Sequence, residues 1–351
     1  MRAFARRVWG RGYLGARSLW SVCILVLTLA GFPAWGQESA NDSPTGCDLG
    51  LQELREQFPQ LTDSQAIVIR DAVGYQIAMG RSLETTTTQL AGAGLQMGVS
   101  PKAFPEIVAR IYDALTRAPQ PPSSHPRALA LIGDRYHHPG YIREAIEQVC
   151  QKAGIAVRFV YDVRLLSSEI LGQYDVLVVL RDGMLWPSPG ENDPFGKERV
   201  FWLTQEQEEA VARFVANGGG FLAIHNATAL KALDGRASLY HEVLGASYAG
   251  HGPEREDYTV EVINASNPVA AAVPRYEVGD ERHWPKMHVS DADIFLEAVA
   301  GDRRSVHGFT RSYQKGRVCY LAHGHNLEAL QRSPVQEMLV KGLRWCLADN
   351  P

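Results

Sequence analysis

Gly218-Gly219-Gly220-Phe221-Leu222-Ala223-Ile224-His225-Asn226-Ala227-Thr228 is the stretch on which the fold turns. Three glycines end a preceding amphipathic helix, four apolar residues form a short buried strand, and a histidine stands where that strand stops. A short continuous apolar run bounded by glycines is the pattern of a strand covered on both faces, as in a parallel sheet. In such sheets the carboxyl ends of the strands line the ligand crevice. His225 is therefore placed where chemistry is expected.

Working outward, the same grammar repeats. Apolar runs at residues 128–132, 157–160 and 176–180 predict strands, separated by helical patterns at about 142–149 and 165–171. A helix over 205–216 leads into the glycine stretch. Residues 182–203 form a long insertion with Gly183, Pro187, Pro189, Gly190 and Pro194, where Asp182 and Asp193 are expected on a solvated surface. Beyond Asp257 strands alternate directly, at 258–263, 294–298, 306–310 and 317–321, before a closing helix over 335–347. Strands alternating with helices predict a doubly wound, mostly parallel α/β sheet spanning 128–349. It is preceded by a small all-helical unit at 51–117 and a Pro- and Ser-rich linker at 118–127. The helical unit has no histidine and no convergent acids, and reads as a packing or docking module.

The first 36 residues carry a different signal. Arg2, Arg6, Arg7, Arg11 and Arg17 precede an apolar run at 19–30, and Ala34-Trp35-Gly36 offers small residues at the positions a signal peptidase reads. A signal peptide at 1–36, a linker at 37–50 and an exported, periplasmic or extracellular protein are the expectation, with membrane attachment only if the leader stays uncleaved. Of the 351 residues, 45% are hydrophobic and 21% charged, which suits a sizeable core. A net charge of -4 without a basic stripe beyond the leader argues against nucleic-acid binding. After the leader, Cys47, Cys150, Cys319 and Cys346 match no zinc spacing, and Cys319 and Cys346 read as buried thiols.

All 11 histidines fall between His125 and His325. His137 and His138 follow the first strand, His225 ends the central one, and His323 and His325 end the strand at 318–321. Three strand ends thus direct imidazoles to one edge of the sheet, within reach of His251 and of the pair Asp280-Glu281. Neutral imidazoles with one or two carboxylates are a ligand set for zinc and similar divalent metals. The same groups equally serve as general acids and bases without metal. Gly133-Asp134 lacks the glycine spacing of a dinucleotide fingerprint, so no nucleotide cofactor is expected.

From residue 128 to 347 the chain resembles the trehalose-utilisation, or ThuA-like, family, whose fold is that of class I glutamine amidotransferases. The resemblance rests on Tyr136-His137-His138, Tyr174-Asp175-Val176, the glycine stretch ending in His225, Gly250-His251-Gly252-Pro253, Asp280-Glu281, Gly316-Arg317-Val318 and Gly324-His325. It implies a site drawn from His137 or His138, His225, His251, Glu281 and His325. It implies a carbohydrate or keto-sugar substrate, to which the imidazole and carboxylate set adds the expectation of a divalent metal, with zinc favoured. In amidotransferases the corresponding turn carries a nucleophilic cysteine; here that position is His225, so glutamine hydrolysis is not expected.

On this reading His225, Asp280 and Glu281 carry catalysis, and His225, His251 and His325 hold the metal. His137, His138, Asn226 and Trp284 bind substrate. Trp186 and Trp202 are further stacking candidates. The reaction class expected is a metal-assisted hydrolase, lyase or isomerase, and self-association is left open. The alternative is a non-catalytic exported module that binds a carbohydrate or a protein.

Overall fold

Alternating side-chain parity along the strands dictates two apolar layers, and both are present. The computed structural model describes residues 56–190, 193, 196–230 and 238–347; the proposed leader, the linker at 37–50, Cys47 and the start of the helical unit lie outside these. Among the described residues, the helices α1 (Asp63–Ala78), α2 (Leu83–Gln96) and α3 (Phe104–Thr116) precede the sheet. Thr62 opens α1 with a capping box, accepting from Gln65 N while the Gln65 side chain bonds the Thr62 amide.

The α/β part follows in the order β1 (Arg127–Ile132), α4 (Pro139–Ala153), β2 (Ala156–Val160), α5 (Ser168–Leu171) and β3 (Val176–Leu180). A small pair, β4 (Met184–Leu185) and β5 (Val200–Phe201), decorates the insertion before α6 (Gln205–Ala216) and β6 (Gly220–Ile224). Then come α7 (Leu239–Leu244), β7 (Ala246–His251), β8 (Glu256–Val262), β9 (Tyr276–Asp280) and β10 (His283–Met287). The chain closes with β11 (Asp293–Ala300), β12 (Arg303–Tyr313), β13 (Gly316–Leu321), α8 (Leu327–Gln331) and α9 (Ser333–Leu347).

The main sheet runs β2-β1-β3-β6-β13-β12-β11-β8-β9. Its first five strands are parallel, and the remainder are antiparallel. The α/β class with a mostly parallel sheet and a preceding helical unit is thus the fold. Strand β9 and the separate β7–β10 ribbon are additions to the sequence reading.

Each buried strand splits its residues between the layers. On β1, Ala128, Ala130 and Ile132 join the layer under α4 and α9, while Leu129 and Leu131 join the one under α6 and α7. Ile69, Val73 and Ile77 of α1 and Ile107 and Ile111 of α3 belong to the first layer, continuous with the sheet residues. Polar ties reinforce this contact. Arg143 on α4 grips Asp71 on α1 through two bonds of 3.1 and 3.0 Å, and Tyr75 Oη donates to Arg135 O at 2.7 Å. The fully buried Arg181 guanidinium donates to the carbonyls of Asp182, Tyr161, Ala78 and Met184.

The insertion is less solvated than its composition suggests. Asp182 is buried, accepting from Met184 N at 2.9 Å, and its carbonyl receives Trp202 Nε1. Trp186 and Trp202 are buried too, Trp186 with its ring 4.1 Å from the Arg135 guanidinium, so neither offers a stacking face. Among the described residues, no helix is long and apolar enough to cross a membrane.

Strand β6 passes so close to α9 that a Cβ on Gly220 would lie 2.6 Å from the Cys346 carbonyl oxygen and 2.7 Å from its Cβ. Gly220→Ala is expected to destabilise the fold by about 1–3 kcal/mol through overpacking, measured as a lower urea midpoint at unchanged slope.

Candidate metal centre

The cluster begins with an unusual backbone. His225 follows β6 directly and has φ of +53°, the left-handed region that non-glycine residues seldom occupy, although histidine does so more than most. Two tyrosines hold the turn: Tyr320 Oη donates to His225 O at 3.0 Å, and Tyr240 Oη to Ala227 O at 3.1 Å. The imidazole is fully buried, and its Nδ1 donates to Ala322 O at 2.8 Å. That bond fixes the tautomer. Nε2 is left as a bare acceptor, buried and without a hydrogen-bond partner.

Three other residues bring atoms to it. His137, from the loop after β1, donates Nδ1 to Asp134, 2.8 Å from Oδ1. The Asp134 carboxylate also accepts from the amides of Tyr136, His137 and Asp182 and from Asn226 Nδ2. Burial would raise its carboxyl, but His137 and Asn226 outweigh that and hold it well below the usual range. His325, from the loop after β13, sets Nδ1 3.1 Å from His137 Nε2 and 3.5 Å from Glu281 Oε2. Glu281, between β9 and β10, sets Oε2 3.4 Å from His225 Nε2. One atom from each of His137, His225, Glu281 and His325 lies within 4.8 Å of all the others.

The electrostatics centre on Glu281. Burial raises its carboxyl, but the imidazoles of His225, His283 and His325 set around it overcome this and hold it ionised far below the carboxylate range. Burial lowers His225. For His325, the hydrogen bond and charge of Glu281 exceed the burial effect and raise it above the ordinary imidazole value. His283 Nε2 donates to Glu281 Oε2 at 2.8 Å, and burial pushes its imidazole down to about 3. His283 was not among the residues singled out from the sequence. Glu281 and His283 stand two apart in extended chain, a spacing that puts both on one side.

The other expected residues fall as follows. His251 is not in the four-atom group, which takes His137 instead; it sits half-exposed at the edge with Nδ1 2.8 Å from Glu281 Oε1. Asp280 is buried, accepting from Gly324 N at 2.9 Å and Asn326 Nδ2 at 3.0 Å, and so positions the loop that carries His325. Asn226 is buried on Asp134. His138 turns from the cluster to cap α4, accepting from Gly140 N, with its ring 4.8 Å from Tyr75. Trp284 follows His283 in β10 and so faces the other side, over Gly250 and Arg282. Gly324, at φ of +149°, admits the close pass of the loop: a Cβ there would lie 2.8 Å from His225 Cβ. Cys150, Cys319 and Cys346 are buried, and none stands at the turn.

A groove of about 560 Å³ lies at the opposite, amino end of the strands, lined by Tyr174, Arg213, Gly218 and Gly219, away from the cluster. The donor atoms converge at the carboxyl edge instead.

Behind the cluster His307 and His323 pack at 4.4 Å between centroids, with Tyr258 Oη 3.3 Å from His307 Nε2 and Tyr276 Oη 2.8 Å from His323 Nε2. Burial pushes His307 far below the ordinary imidazole value and His323 to about 3. Folded, both stay neutral where unfolded histidines, with pKa near about 6.5, take up protons. Their contribution is therefore complete above about pH 6.5 and falls by about 1.4 kcal/mol per group for each pH unit below it. Urea midpoints should be lower at about pH 5.5 than at about pH 7.5, and His307→Leu should shrink the difference.

The family model for ThuA, trehalose utilisation, matches residues 127–346. Among solved structures, a ThuA-like protein from Parabacteroides merdae aligns with a TM-score of 0.50 at 17% identity, over 64% of this chain and 90% of that one. A ThuA-like protein from Bacteroides uniformis aligns with a TM-score of 0.49 at 17% identity, over 64% of this chain and 91% of that one. No curated protein matches the chain. With its model running from β1 into α9, the chain belongs to the ThuA, or trehalose-utilisation, family.

Proposed function

We propose that His137, His225, Glu281 and His325 hold a divalent metal, zinc by preference, in an exported enzyme that acts on a sugar or keto-sugar. The observation that carries this is the buried Nε2 of His225, without a hydrogen-bond partner and aimed at a carboxylate and two further imidazoles. A buried polar atom left bare costs roughly 1–3 kcal/mol, which a metal bond would remove. The outer bonds support the reading as well. His225 Nδ1 donates to a carbonyl and His137 Nδ1 to a carboxylate, as metal-ligating histidines commonly do. Three imidazoles and one carboxylate suit zinc.

A metal held there would supply Lewis acidity toward a sugar carbonyl or hydroxyl, or toward a water. The chain's own groups define the rest. Asp134 and the Ala322 carbonyl keep His137 and His225 in the tautomers that present Nε2 inward. Asp280 keeps the His325 loop in place. Glu281 has its second oxygen on His251, which is half-exposed, so a proton can pass between Oε1 and solvent through that ring. The family description supports a carbohydrate substrate, and the Arg-rich leader supports export.

Elemental analysis of the purified protein tests the reading. About one metal per chain is expected, lost in His225→Ala and in Glu281→Gln and kept in His138→Ala, each checked for folding by circular dichroism. Uptake should weaken as pH falls through the raised value of His325, because that imidazole must be neutral to bind. Metal-free protein that binds sugars without turning them over would replace the enzyme with a binding module.

A further inference from the structure

Two tyrosines beside the cluster remain without a role, and both are exposed. Tyr136 is 53% and Tyr248 36% accessible, whereas Trp186, Trp202, Tyr240 and Tyr320 are all buried. The local chain places each of them. Tyr136 precedes His137, and its amide is bound by Asp134 Oδ1 at 2.8 Å, the oxygen that also receives His137 Nδ1. Its ring is thereby tied to the His137 ring, at 6.4 Å between centroids.

Tyr248 reaches the site through an irregularity. In the β7–β10 ribbon Gly250 pairs with Trp284 and Tyr248 with Pro285, so Ala249 is an extra residue opposite no partner. Residues three apart in a regular strand face opposite ways. One inserted residue reverses that parity, and Tyr248 shares a side with His251 at 6.1 Å and with His283 at 5.5 Å. A chain of ring contacts then runs Tyr136, His137, His225, His283, Tyr248, with centroid separations of 6.4, 4.9, 4.0 and 5.5 Å. The buried donors occupy its middle and the exposed rings its two ends.

We propose that Tyr136 and Tyr248 are the aromatic walls of a pyranose subsite over the His137–His225–Glu281–His325 cluster; this rests on the reading of that cluster as a sugar-directed metal centre. A pyranose suits the arrangement because it carries apolar C–H faces between a girdle of hydroxyls. The faces lie on the aromatic rings, and one hydroxyl or carbonyl oxygen points to the donor group. Apolar and aromatic walls with a few convergent polar atoms are the general composition of a small-molecule site. The two tyrosines are thus substrate-contacting residues, separate from the metal ligands.

The test is calorimetric titration of the purified, full-length protein with trehalose, cellobiose and glucose, alongside its metal content. Tyr136→Leu and Tyr248→Leu, which keep bulk but lose the aromatic face, should each weaken sugar binding about 10-fold, while the Phe variants should stay within about 2-fold. Metal content should match wild type in all four. Leucine variants that bind sugar like wild type, with metal intact, overturn the proposal. Metal-loaded wild type that binds none of the three sugars overturns it as well. Metal-free wild type whose sugar binding still depends on both tyrosines removes the metal reading and upholds the subsite.

Discussion

A buried imidazole can offer a lone pair inward only if its other nitrogen has an acceptor to donate to. The Nδ1 to Ala322 carbonyl bond of His225 meets that condition, and much of the site is arranged around it. The acceptor belongs to the residue just after β13, and β13 is the parallel neighbour of β6. Sheet pairing itself therefore supplies the bond. The left-handed turn at His225, the two tyrosine hydroxyls that brace it and the glycine that makes room beside it all serve to keep that nitrogen on that oxygen.

One carboxylate among four imidazoles sets the charge balance. Glu281 gathers His225, His251, His283 and His325, and it stays ionised because His225, His283 and His325 outweigh the effect of burial. Asp134 does the corresponding work one layer out. It never faces the cluster's centre, yet it orients His137 and is itself saturated by three backbone amides and Asn226. The two carboxylates divide the labour: one lies among the donor atoms, and the other aims a donor.

Where periodicity was strong, the sequence sufficed. The strand at 176–180 and the helix at 205–216 match the observed elements to the residue, because a continuous apolar run and an amphipathic repeat each admit one reading. The β7–β10 ribbon was not legible: it carries Pro285 in one strand, Gly250 in the other and an unpaired residue between them, all of which hide a strand. Within the site, His225, Glu281 and His325 were readable from strand ends and from family resemblance. The choice between His137 and His138 was not made, though Pro139 held the clue: proline favours the first helical position, which leaves His138 as the cap. His283 and the exchange of His251 for His137 depend on the chain reversal around residues 250–285, a tertiary fact that no local pattern encodes.

The helices that precede the sheet bear on this site without contributing a donor to it. Tyr75 of α1 holds the Arg135 carbonyl in the loop that carries Tyr136 and His137, and α1 and α3 complete an apolar layer begun by the sheet. The stretch that marks kinship, residues 127–346, is consequently smaller than the stretch that buries its own surface. Ancestry and folding draw different borders on this chain. A sequence change in α1 can thus reach the loop that carries His137 as a mechanical load, transmitted through one hydroxyl and a shared apolar layer.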